Sequence, residues 1–506
     1  MSLPAWTTPL LDPQAVRAAD RSAVEQQGVP SLELMERAAG ALALLVQEIA
    51  PNGRIAVVCG AGNNGGDGYA AARLLRSAWR EVDVLWTRDP RELTGDAAVQ
   101  AQALPGAAPR RFEAQHLAGC TLVVDALLGI GCAGEPRGEV AAAITAIGAA
   151  GVPVVACDIP SGVDAASGEV ARIAVRARAT VTFHAPKPGL LINPGKAHAG
   201  ELRVADIGIP AGVPSARIGL IEDAPLLGTL SSRAAHWTKF TSGRVLVAGG
   251  SPGLLGAVVL AAEAAMRAGA GYVTVCLPAS QQPAAAAQLV EAMQLALPEN
   301  HGAHDETGAE IVLEELAARG GTLVLGPGLG REPSAFAFAR TLTERATSAL
   351  VLDADGLNAH VGDPERLARR SAPTVLTPHD GELARLLGVT SAEVAERRLH
   401  HVRLAAQRSA AIVVLKGDDT LIAQPDGMVA VSPGASPCLA TAGTGDVLSG
   451  VLGALLARGE EPFTAACAAV RLHARAAAVA ADRVGVDGVI ARDVVDALPA
   501  ARRPGR

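Results

Sequence analysis

Short runs of Val, Ile and Leu alternate with Ala-rich segments along the whole chain of 506 residues. In the first half, the apolar runs are RIAVVCG (54–60), EVDVLW (81–86), TLVVDAL (121–127) and VPVVACDIP (152–160). In the second half, they are GRVLVAGG (243–250), GGTLVLGPG (320–328), SALVLDADG (348–356), APTVLTPH (372–379) and AIVVLKG (411–417). Continuously apolar strands are typical of parallel sheets that helices cover on both faces, so the pattern predicts an α/β protein.

The length of the chain favours two domains over a single hydrophobic core. The segment 207–243 is rich in Gly, Pro and Ser and interrupts the alternation of strands and helices. We place the domain junction there, near residue 215, with a first domain at 1–214 and a second at 220–506.

Composition excludes several classes of partner. Hydrophobic residues make up 49 % of the chain and aromatic residues only 2 %, so aromatic stacking cannot be the main means of binding. The net charge of −7 and the lack of a Lys/Arg block argue against nucleic acid. The apolar stretch 140–157 contains Gly148, Gly151 and Pro153, which indicates helix, turn and strand, not a membrane span. Seven scattered cysteines without C-x-x-C spacing and the absence of a secretory signal predict buried thiols in the cytoplasm.

The stretch GAGNNGGDG (60–68) follows the first clear strand and precedes the helical pattern YAAARLLRSA. It contains G-x-G-x-x-G, and backbone N–H groups at such a helix start can hold a phosphate. A dehydrogenase would also need an acidic residue at the end of the next strand, whereas Asp83 lies inside the candidate strand. A tight turn in which Asp67 caps the helix is the alternative.

Two further strand ends carry polar side chains. Asp125 lies near the end of TLVVDAL, and Asp158 and Ser161 follow VPVVAC. Because the carboxyl ends of parallel strands meet at one edge of a sheet, these residues and Asn64 are expected in one crevice. Their oxygen atoms suit a hard cation, and a carboxylate there could equally act as a general base or merely cap a turn.

The first half resembles the epimerase domain of the bifunctional NAD(P)H-hydrate repair enzymes, which implies a Rossmann-like three-layer sandwich. The matching stretches are GVPSLELMERAAG (28–40), GAGNNGGDGYAAARLL (60–75), VVDALLGIG (123–131), DIPSGVDAASG (158–168), HAPKPGLL (184–191) and GELRVADIGIP (200–210). The resemblance implies a potassium ion on Asn64, Asp125 and Ser161, and a catalytic role for Asp158. It also implies that the hydrated dinucleotide is bound by Asn63, Asn64, Gly65, Gly66, Asp67, Gly129, Ile130, Gly131, Cys132, Ala133, Gly134, Glu135 and Asp158.

The segment ATAGTGDVLSGVLGALLARG (440–459) is the strongest signal of the second half. Gly443 and Gly445 open a helix, and Asp446 lies at its start, where free N–H groups can bind phosphate and the carboxylate can take a proton from a hydroxyl. The segment resembles the G-x-G-D motif of ribokinase-like phosphotransferases. An aspartate that merely caps the helix is the alternative.

Other motifs of the second half more specifically resemble the ADP/ATP-dependent NAD(P)H-hydrate dehydratase domain. The motif TPHDGELARLLG (377–388) would let Glu382 orient magnesium indirectly, and LKGDDTLIAQ (415–424) would wrap the nucleotide. The resemblance implies that Gly328, His379 and Asp446 contact the hydrate, with Asp446 as the base. It implies nucleotide contacts from Lys416, Gly417, Asp418, Asp419, Thr420, Gly443 and Gly445. The usual Pro of TPHPGE is Asp380 here, which is expected to loosen the loop and add a charge.

Taken together, the motifs predict a bifunctional lyase and isomerase that repairs hydrated NADH and NADPH. One domain would interconvert the R and S hydrates, and the other would dehydrate the S form at the expense of ADP or ATP. A kinase of a small vitamin precursor with a nucleotide-binding scaffold domain is the main alternative. We also expect a homo-oligomer, whose size the sequence leaves open.

Overall fold

The computed structural model describes residues 3–132, 134–209 and 216–503, which form two compact α/β units. One unit comprises Pro9–Ile218, and the other comprises Leu3–Thr8 together with the chain from Gly219 onward. The predicted class, two α/β domains, is confirmed. The predicted junction at residue 215 lies outside the described residues.

The first unit contains a parallel sheet whose order reverses in its middle. From edge to edge, its strands among the described residues are Arg110–Arg111, Val82–Trp86, Ile55–Cys59, Leu122–Ala126, Val154–Cys157, Ala179–Phe183 and Glu201–Ala205. Chain order runs outward from Ile55–Cys59 in both directions, so the switch point lies between Ile55–Cys59 and Leu122–Ala126. A crevice for a ligand forms at such a point.

Alternate residues of the central strand enter two separate cores. Ile55, Val57 and Cys59 pack with helices Ser31–Ile49 and Asn63–Ser77. Ala56 and Val58 face the opposite side, where helix Gly138–Ala149 packs. Since successive strand residues point to opposite faces, this division creates the three-layer sandwich that the resemblance implied. The remaining helices are Pro13–Glu25, Gly95–Gln102 and Lys196–Ala199.

The second unit is built on a larger sheet, most of which is parallel. The order of its strands among the described residues is Thr7–Pro9, Ile218–Ile221, Val429–Val431, Leu421–Ala423, Ile412–Leu415, Thr374–Leu376, Leu350–Leu352, Thr322–Leu325, Arg244–Ala248, Tyr272–Pro278 and Met293–Leu297. Strands from Ile412–Leu415 to Met293–Leu297 run parallel, and Leu421–Ala423 and Val429–Val431 add antiparallel neighbours. Glu299–Asn300 and Ala303–His304 form a separate small ladder.

Apolar helices cover this sheet. Val245 and Val247 face a core made with helices Leu255–Arg267, Thr444–Ala457, Pro462–Val484 and Ala491–Ala501. The other helices of the unit are Asp223–Thr229, Gln282–Ala286, Gly308–Arg319, Pro333–Arg345, Asp355–Asn358, Asp380–Leu387, Ser391–Glu396 and Arg398–Ser409. Within the described ranges, no helix is long and apolar enough to cross a membrane.

The region predicted as an irregular junction contains regular structure that the sequence reading missed. Strand Ile218–Ile221 and helix Asp223–Thr229 lie within 207–243 and belong to the second unit apart from the first strand residue. The N-terminal strand Thr7–Pro9 lies at the edge of the same sheet, beside Ile218–Ile221. The edge of the second sheet is therefore completed by residues that sequence order assigns to the first domain.

Candidate functional site

A cavity of about 760 Å³ opens at the switch point of the first sheet. It lies between the loop after Ile55–Cys59 and the loop after Leu122–Ala126, and Asp158, His184 and Lys187 line it from the following strands. The predicted residues that line it are Asn63, Asn64, Asp67, Gly129, Ile130, Gly131, Cys132 and Asp158. Gly65, Gly66, Gly134 and Glu135 do not line it, and Ala133 lies outside the described residues.

Asp125, Ser161 and Asn64 converge on the loop at Leu128. Asp125 is fully buried, and its two oxygens accept from the Ser161 hydroxyl at 2.6 Å and the Ser161 N–H at 2.8 Å. Leu128 N donates to Ser161 Oγ at 2.9 Å, and Leu128 O accepts from Asn64 Nδ2 at 3.0 Å. Asn64 Oδ1 is buried without a hydrogen-bond partner among the described residues. A carboxylate, a hydroxyl and an orphaned amide oxygen form a donor set suited to a hard monovalent cation.

Burial raises the pKa of Asp125 to about 6, although the hydrogen bonds from Ser161 and Leu127 act in the opposite direction. A cation beside this carboxylate would favour its ionised form and offset the cost of burying it.

Asp158 and Lys187 form a buried ion pair in the same cavity. Lys187 Nζ donates to Asp158 Oδ1 at 2.7 Å, to Thr182 Oγ1 at 2.8 Å and to Phe183 O at 2.8 Å. Three acceptors satisfy all three protons of an ammonium group, so its position is fixed. Asp158 has a φ of 63°, a left-handed conformation that is uncommon for a residue with a Cβ and that aspartate tolerates better than most. Lys187 lies within HAPKPGLL, and no pattern in the sequence predicts a role for it.

Two further acids line this cavity. Burial raises the pKa of Asp67 well above its usual range, and the charges of Asp158 and Asp20 add to the rise while Lys187 opposes it. Burial likewise raises the pKa of Asp20, from helix Pro13–Glu25. Carboxyl groups whose pKa is raised in a cavity are candidates for proton transfer to a bound ligand. Asp20 carried no sequence signal, because a single aspartate in an amphipathic helix is commonplace.

The glycine-rich stretch begins a helix, and several of its glycines are required by packing. Helix Asn63–Ser77 starts inside NNGGDG, and its N-cap is Gly62, so the alternative reading of Asp67 as the cap is wrong. A Cβ on Gly65 would lie 2.1 Å from Gly60 O, and a Cβ on Gly66 would lie 2.7 Å from Met35 Cε. A Cβ on Gly62 would meet nothing within 4 Å. The glycines therefore let the helix approach its own strand and the helix Ser31–Ile49, a reason that the sequence reading did not foresee.

Lys416 is the centre of the charged cluster in the second unit. Its Nζ lies 3.1 Å from Asp353 Oδ1 and 3.7 Å from Glu382 Oε2. Burial works against the charge of Lys416, but Asp353 and Glu382 outweigh it and raise the pKa of the lysine. Asp353 also accepts from Ser449 Oγ at 2.7 Å, which ties it to helix Thr444–Ala457. Asp353 lies in the strand end LDADGLN, and the sequence alone does not distinguish it from the other residues there.

Asp446 lies in the first turn of helix Thr444–Ala457. Burial raises its pKa to about 7, the charges of Asp353 and Glu382 add to the rise, and Lys416 opposes it. A carboxylate with a pKa near neutrality can accept a proton from a hydroxyl and later release it. Gly445 lies so close to Lys416 that a Cβ there would be 3.5 Å from Nζ, so the helix start faces the ammonium.

His379 and Glu382 form a reciprocal cap on helix Asp380–Leu387. His379 Nδ1 accepts from Gly381 N at 3.0 Å, and Glu382 Oε2 accepts from His379 N at 2.9 Å. Because Nδ1 acts as an acceptor, the neutral ring carries its proton on Nε2. The exposed part of His379 can therefore donate a hydrogen bond to a ligand.

Asp380 is anchored, in contrast to the expected loosening of its loop. Its carboxylate pairs with Arg398, whose side chain is 5 % exposed. Arg398 also contacts Asp419 at 3.1 Å and donates to Lys416 O at 3.2 Å. One buried guanidinium thus joins the helix that begins beside His379 to the loop 416–420.

A second cavity, of about 350 Å³, is lined by that loop and by the start of helix Thr444–Ala457. The predicted nucleotide residues Lys416, Gly417, Asp418, Thr420 and Gly445 line it. Asp419 is buried behind the loop against Arg398, and Gly443 is an N-cap with φ of 88° whose Cβ would lie 2.7 Å from Leu260 Cδ1. Gly328, His379, Glu382 and Asp446 do not line this cavity. Gly328 follows strand Thr322–Leu325, and its carbonyl accepts from Ser251 Oγ at 3.0 Å.

Over the described ranges, no group of three or more His, Cys, Asp or Glu side chains has the arrangement of a metal centre. Glu382 Oε2 accepts from His379 N and lies 3.7 Å from Lys416 Nζ, so these contacts do not test its predicted indirect role toward magnesium. Magnesium retains waters and takes phosphate oxygens readily, so a bound nucleotide would supply most of its ligands here.

Comparison with known families assigns each unit separately. Residues 245–500 match the family model described as NAD(P)H-hydrate dehydratase. Residues 31–189 match the one described as YjeF-related protein N-terminus.

Single-chain relatives match nearly the whole sequence. The chain is 39 % identical to the bifunctional NAD(P)H-hydrate repair enzyme Nnr of Moorella thermoacetica, over 95 % of this chain and 94 % of that one. It is 34 % identical to the enzyme of the same name from Escherichia coli, over 96 % and 92 % of the two chains. Among solved structures, the ADP/ATP-dependent NAD(P)H-hydrate dehydratase from Bacillus subtilis matches with 29 % identity and a TM-score of 0.47, over 55 % of this chain and 94 % of that one.

Proposed function

From the premise that the chain belongs to the family of bifunctional NAD(P)H-hydrate repair enzymes, we propose one catalytic activity for each of its two units. The first unit epimerises the R and S hydrates of NADH and NADPH. The second dehydrates the S form with an adenine nucleotide, ADP or ATP, and regenerates the reduced cofactor. This division is supported by two features, one in each unit. The first unit has a cavity at the switch point of its sheet, and the second has Asp446 close to Lys416.

In the first unit, the Asp158–Lys187 pair acts on the ring hydroxyl of the hydrate. Lys187 fixes one oxygen of Asp158, so the carboxylate has a defined direction toward the ligand. Exchange of the hydroxyl at the hydrated carbon requires proton transfer to and from oxygen, and Asp67 and Asp20 have raised pKa values that suit them to hold such protons. A potassium ion on Asn64, Asp125 and Ser161 would help to fix the loop at Leu128, which already hydrogen-bonds to Asn64 and Ser161.

In the second unit, the poor leaving group of the hydrate is converted into a better one. Asp446 takes the proton of the ring hydroxyl, and the oxygen attacks the terminal phosphorus of the nucleotide, whose bridging P–O bond breaks. The ring carbon–oxygen bond then breaks, phosphate departs with the bonding electrons, and loss of a neighbouring ring proton restores the dihydronicotinamide. Lys416 and the N–H groups at the start of helix Thr444–Ala457 stabilise the charge on the transferred group.

The alternative of a vitamin-precursor kinase accounts for the second unit alone. It leaves the buried Asp158–Lys187 pair and the orphaned Asn64 oxygen of the first cavity without a purpose. A nicotinamide dehydrogenase is weaker still, because Asp83 lies inside strand Val82–Trp86 and pairs with Arg54, whereas a ribose-binding acid is needed at the strand end.

The deciding experiment follows the ultraviolet absorbance of a hydrated NADH mixture with the full chain. We expect the ultraviolet absorbance of NADH to be recovered only when magnesium and either ADP or ATP are present. Complete recovery from both epimers requires both units, whereas recovery that stops at one epimer means that the first unit has no epimerase activity. No recovery with either nucleotide, alongside phosphorylation of a vitamin precursor, would establish the kinase alternative.

We further propose a cytoplasmic, homo-oligomeric enzyme. The seven cysteines are all free thiols, as suits a reducing compartment. Cell fractionation and light scattering of the purified chain test these two properties independently of activity.

A further inference from the structure

Helix Pro462–Val484 places the imidazole of His473 in the wall of the second cavity, which is called the nucleotide cavity below. His473 lines this cavity and is 7 % exposed, and its Nε2 is buried without a hydrogen-bond partner among the described residues. A buried polar atom without a partner costs free energy, so a native structure that keeps one usually reserves it for a ligand or a bound water.

The other contacts of His473 fix what this nitrogen can do. Burial lowers the pKa of His473 to about 4, while a hydrogen bond to the backbone of Thr444 raises it and the charge of Lys416 lowers it further. A backbone contact that raises the pKa of an imidazole is one in which the ring N–H donates to a carbonyl. The ring is therefore neutral at physiological pH, its proton points to Thr444, and Nε2 presents a lone pair as an acceptor.

The lining of this cavity suits a base as well as an anion. Pro437, Leu439, Val470 and Ala474 are among its apolar lining residues, and Lys416 and Gly445 are lining residues that suit an anion. The oxygens of a fully ionised nucleotide phosphate carry no proton to donate to this acceptor. A flat heteroaromatic ring that carries an amino group satisfies both the apolar wall and the lone pair.

We propose that His473 reads the base of the nucleotide, with Nε2 accepting a hydrogen bond from the exocyclic amino group of adenine. This inference rests on the proposed nucleotide-dependent dehydration. Hypoxanthine and guanine carry a carbonyl oxygen where adenine carries this amino group, so an acceptor would face an acceptor. A site built around such a bond rejects an analogue that cannot make it, because its own polar atom stays unpaired.

The test measures dehydration of the S hydrate by the full chain with ATP, ITP and 2′-deoxy-ATP. The wild type is expected to prefer ATP to ITP by about tenfold or more in kcat/KM for the nucleotide. In the His473→Gln variant, the amide can rotate to offer either a donor or an acceptor, so the preference falls close to one while the KM for the hydrate is unchanged. If His473→Gln instead kept the preference for ATP over ITP and lost a preference for ATP over 2′-deoxy-ATP, the donor to Nε2 would be a ribose hydroxyl. That result would overturn the assignment to the base.

His360 offers a matched control for this variant. It is 2 % exposed, burial lowers its pKa to about 4, and its Nδ1 also lacks a partner, but it lies outside the nucleotide cavity. His360→Gln is expected to lose stability and to keep the ATP/ITP ratio. Equal use of ATP and ITP by the wild type, which needs no variant to fold, overturns the base-reading role. Failure of every nucleotide to support dehydration counts against the proposed function.

Discussion

At the scale of single residues, a variant can distinguish the proposed role of Asp446 as a base from the role of a residue that only caps its helix. We predict that Asp446→Asn lowers the rate of dehydration by about a hundredfold or more, as loss of a positioned base does. Asp493 occupies the same position in the first turn of helix Ala491–Ala501, so Asp493→Asn is the matched control. Rates near the wild type for Asp446→Asn, measured by absorbance recovery, would remove it from the role of base.

The raised pKa of Asp446 predicts the pH dependence of the second activity. A base must be ionised, so kcat/KM is expected to fall as pH drops below an apparent pKa of about 7. The charge of Asp353 contributes to that rise, so Asp353→Asn should move this limb to lower pH. A pH–rate profile with its acid limb near the ordinary aspartate value of about 4 would contradict the assignment.

Asn64 separates the two activities. We predict that Asn64→Ala slows epimerisation and leaves dehydration of the S hydrate nearly unchanged, because its orphaned oxygen lies in the first cavity only. The two rates come from chromatography of separated epimers and from absorbance recovery with nucleotide, so the second is an internal control. The thermal stabilisation of the wild type by KCl over choline chloride should also disappear. Equal loss of both rates would mean that Asn64 supports the fold of the whole chain.

At the scale of elements, the Asp380–Arg398–Asp419 bridge joins helix Asp380–Leu387 to the loop 416–420, the two segments that we propose bind the hydrate and the nucleotide. We predict that Asp380→Asn raises the KM for nucleotide and for hydrate by about tenfold, because it leaves buried Arg398 short of a partner. Asp380→Pro should have the same effect, since proline is tolerated at the first position of a helix and removes only the charge.

The exposed pair Arg408–Glu365 supplies the control for this bridge. Glu365 is 55 % exposed, and surface ion pairs contribute about 0–1 kcal/mol, so Glu365→Gln should leave both KM values unchanged. If Asp380→Pro behaved as the wild type and only Asp380→Asn were impaired, the backbone and not the charge would position the two segments.

The parallel strands quoted from the sequence were predictable, whereas the start of helix Asn63–Ser77 was not. Every apolar run quoted from the sequence forms a strand, since a continuous run of Val, Ile and Leu suits a sheet covered on both faces. The segment NNGGDG has low helix propensity and was read as a loop, yet tertiary packing against Met35 and the Gly60 backbone makes it helical. Of the motif residues expected in one crevice, Asn64 and Asp158 line the cavity, whereas Asp125 and Ser161 are buried and do not line it. The packing reason for each glycine was not visible in the sequence.

Residues without a motif were missed for a related reason. Lys187, Asp353 and Arg398 acquire their importance from partners that are 29, 63 and 21 residues away along the chain. A sequence pattern registers spacing within an element, and it does not register which strand ends become neighbours. Only the order of the sheets brings these charges together.

At the scale of the whole molecule, the second unit depends on the first residues of the chain. Trp6 is 6 % exposed, its ring lies 6.0 Å from that of Phe463, and its carbonyl accepts from Glu222 N at 3.0 Å. A fragment of residues 220–506 lacks Trp6 and also cuts strand Ile218–Ile221. We therefore expect this fragment to be less stable than a fragment of residues 216–506, and both to be less stable than the second unit in the full chain.

We predict that Trp6→Ala in the full chain lowers the stability of the second unit by about 3–5 kcal/mol, the usual cost of removing a buried tryptophan. Dehydratase activity should then be lost at a lower temperature, while the temperature at which epimerase activity is lost stays unchanged, because Trp6 packs in the core of the second unit. Trp79, which is 96 % exposed, supplies the matched control, and Trp79→Ala should change neither temperature. Residual activities after graded heating report the two units separately. Selective loss of epimerase activity in Trp6→Ala would mean that the N-terminal segment belongs to the first unit, as its place in the sequence suggests.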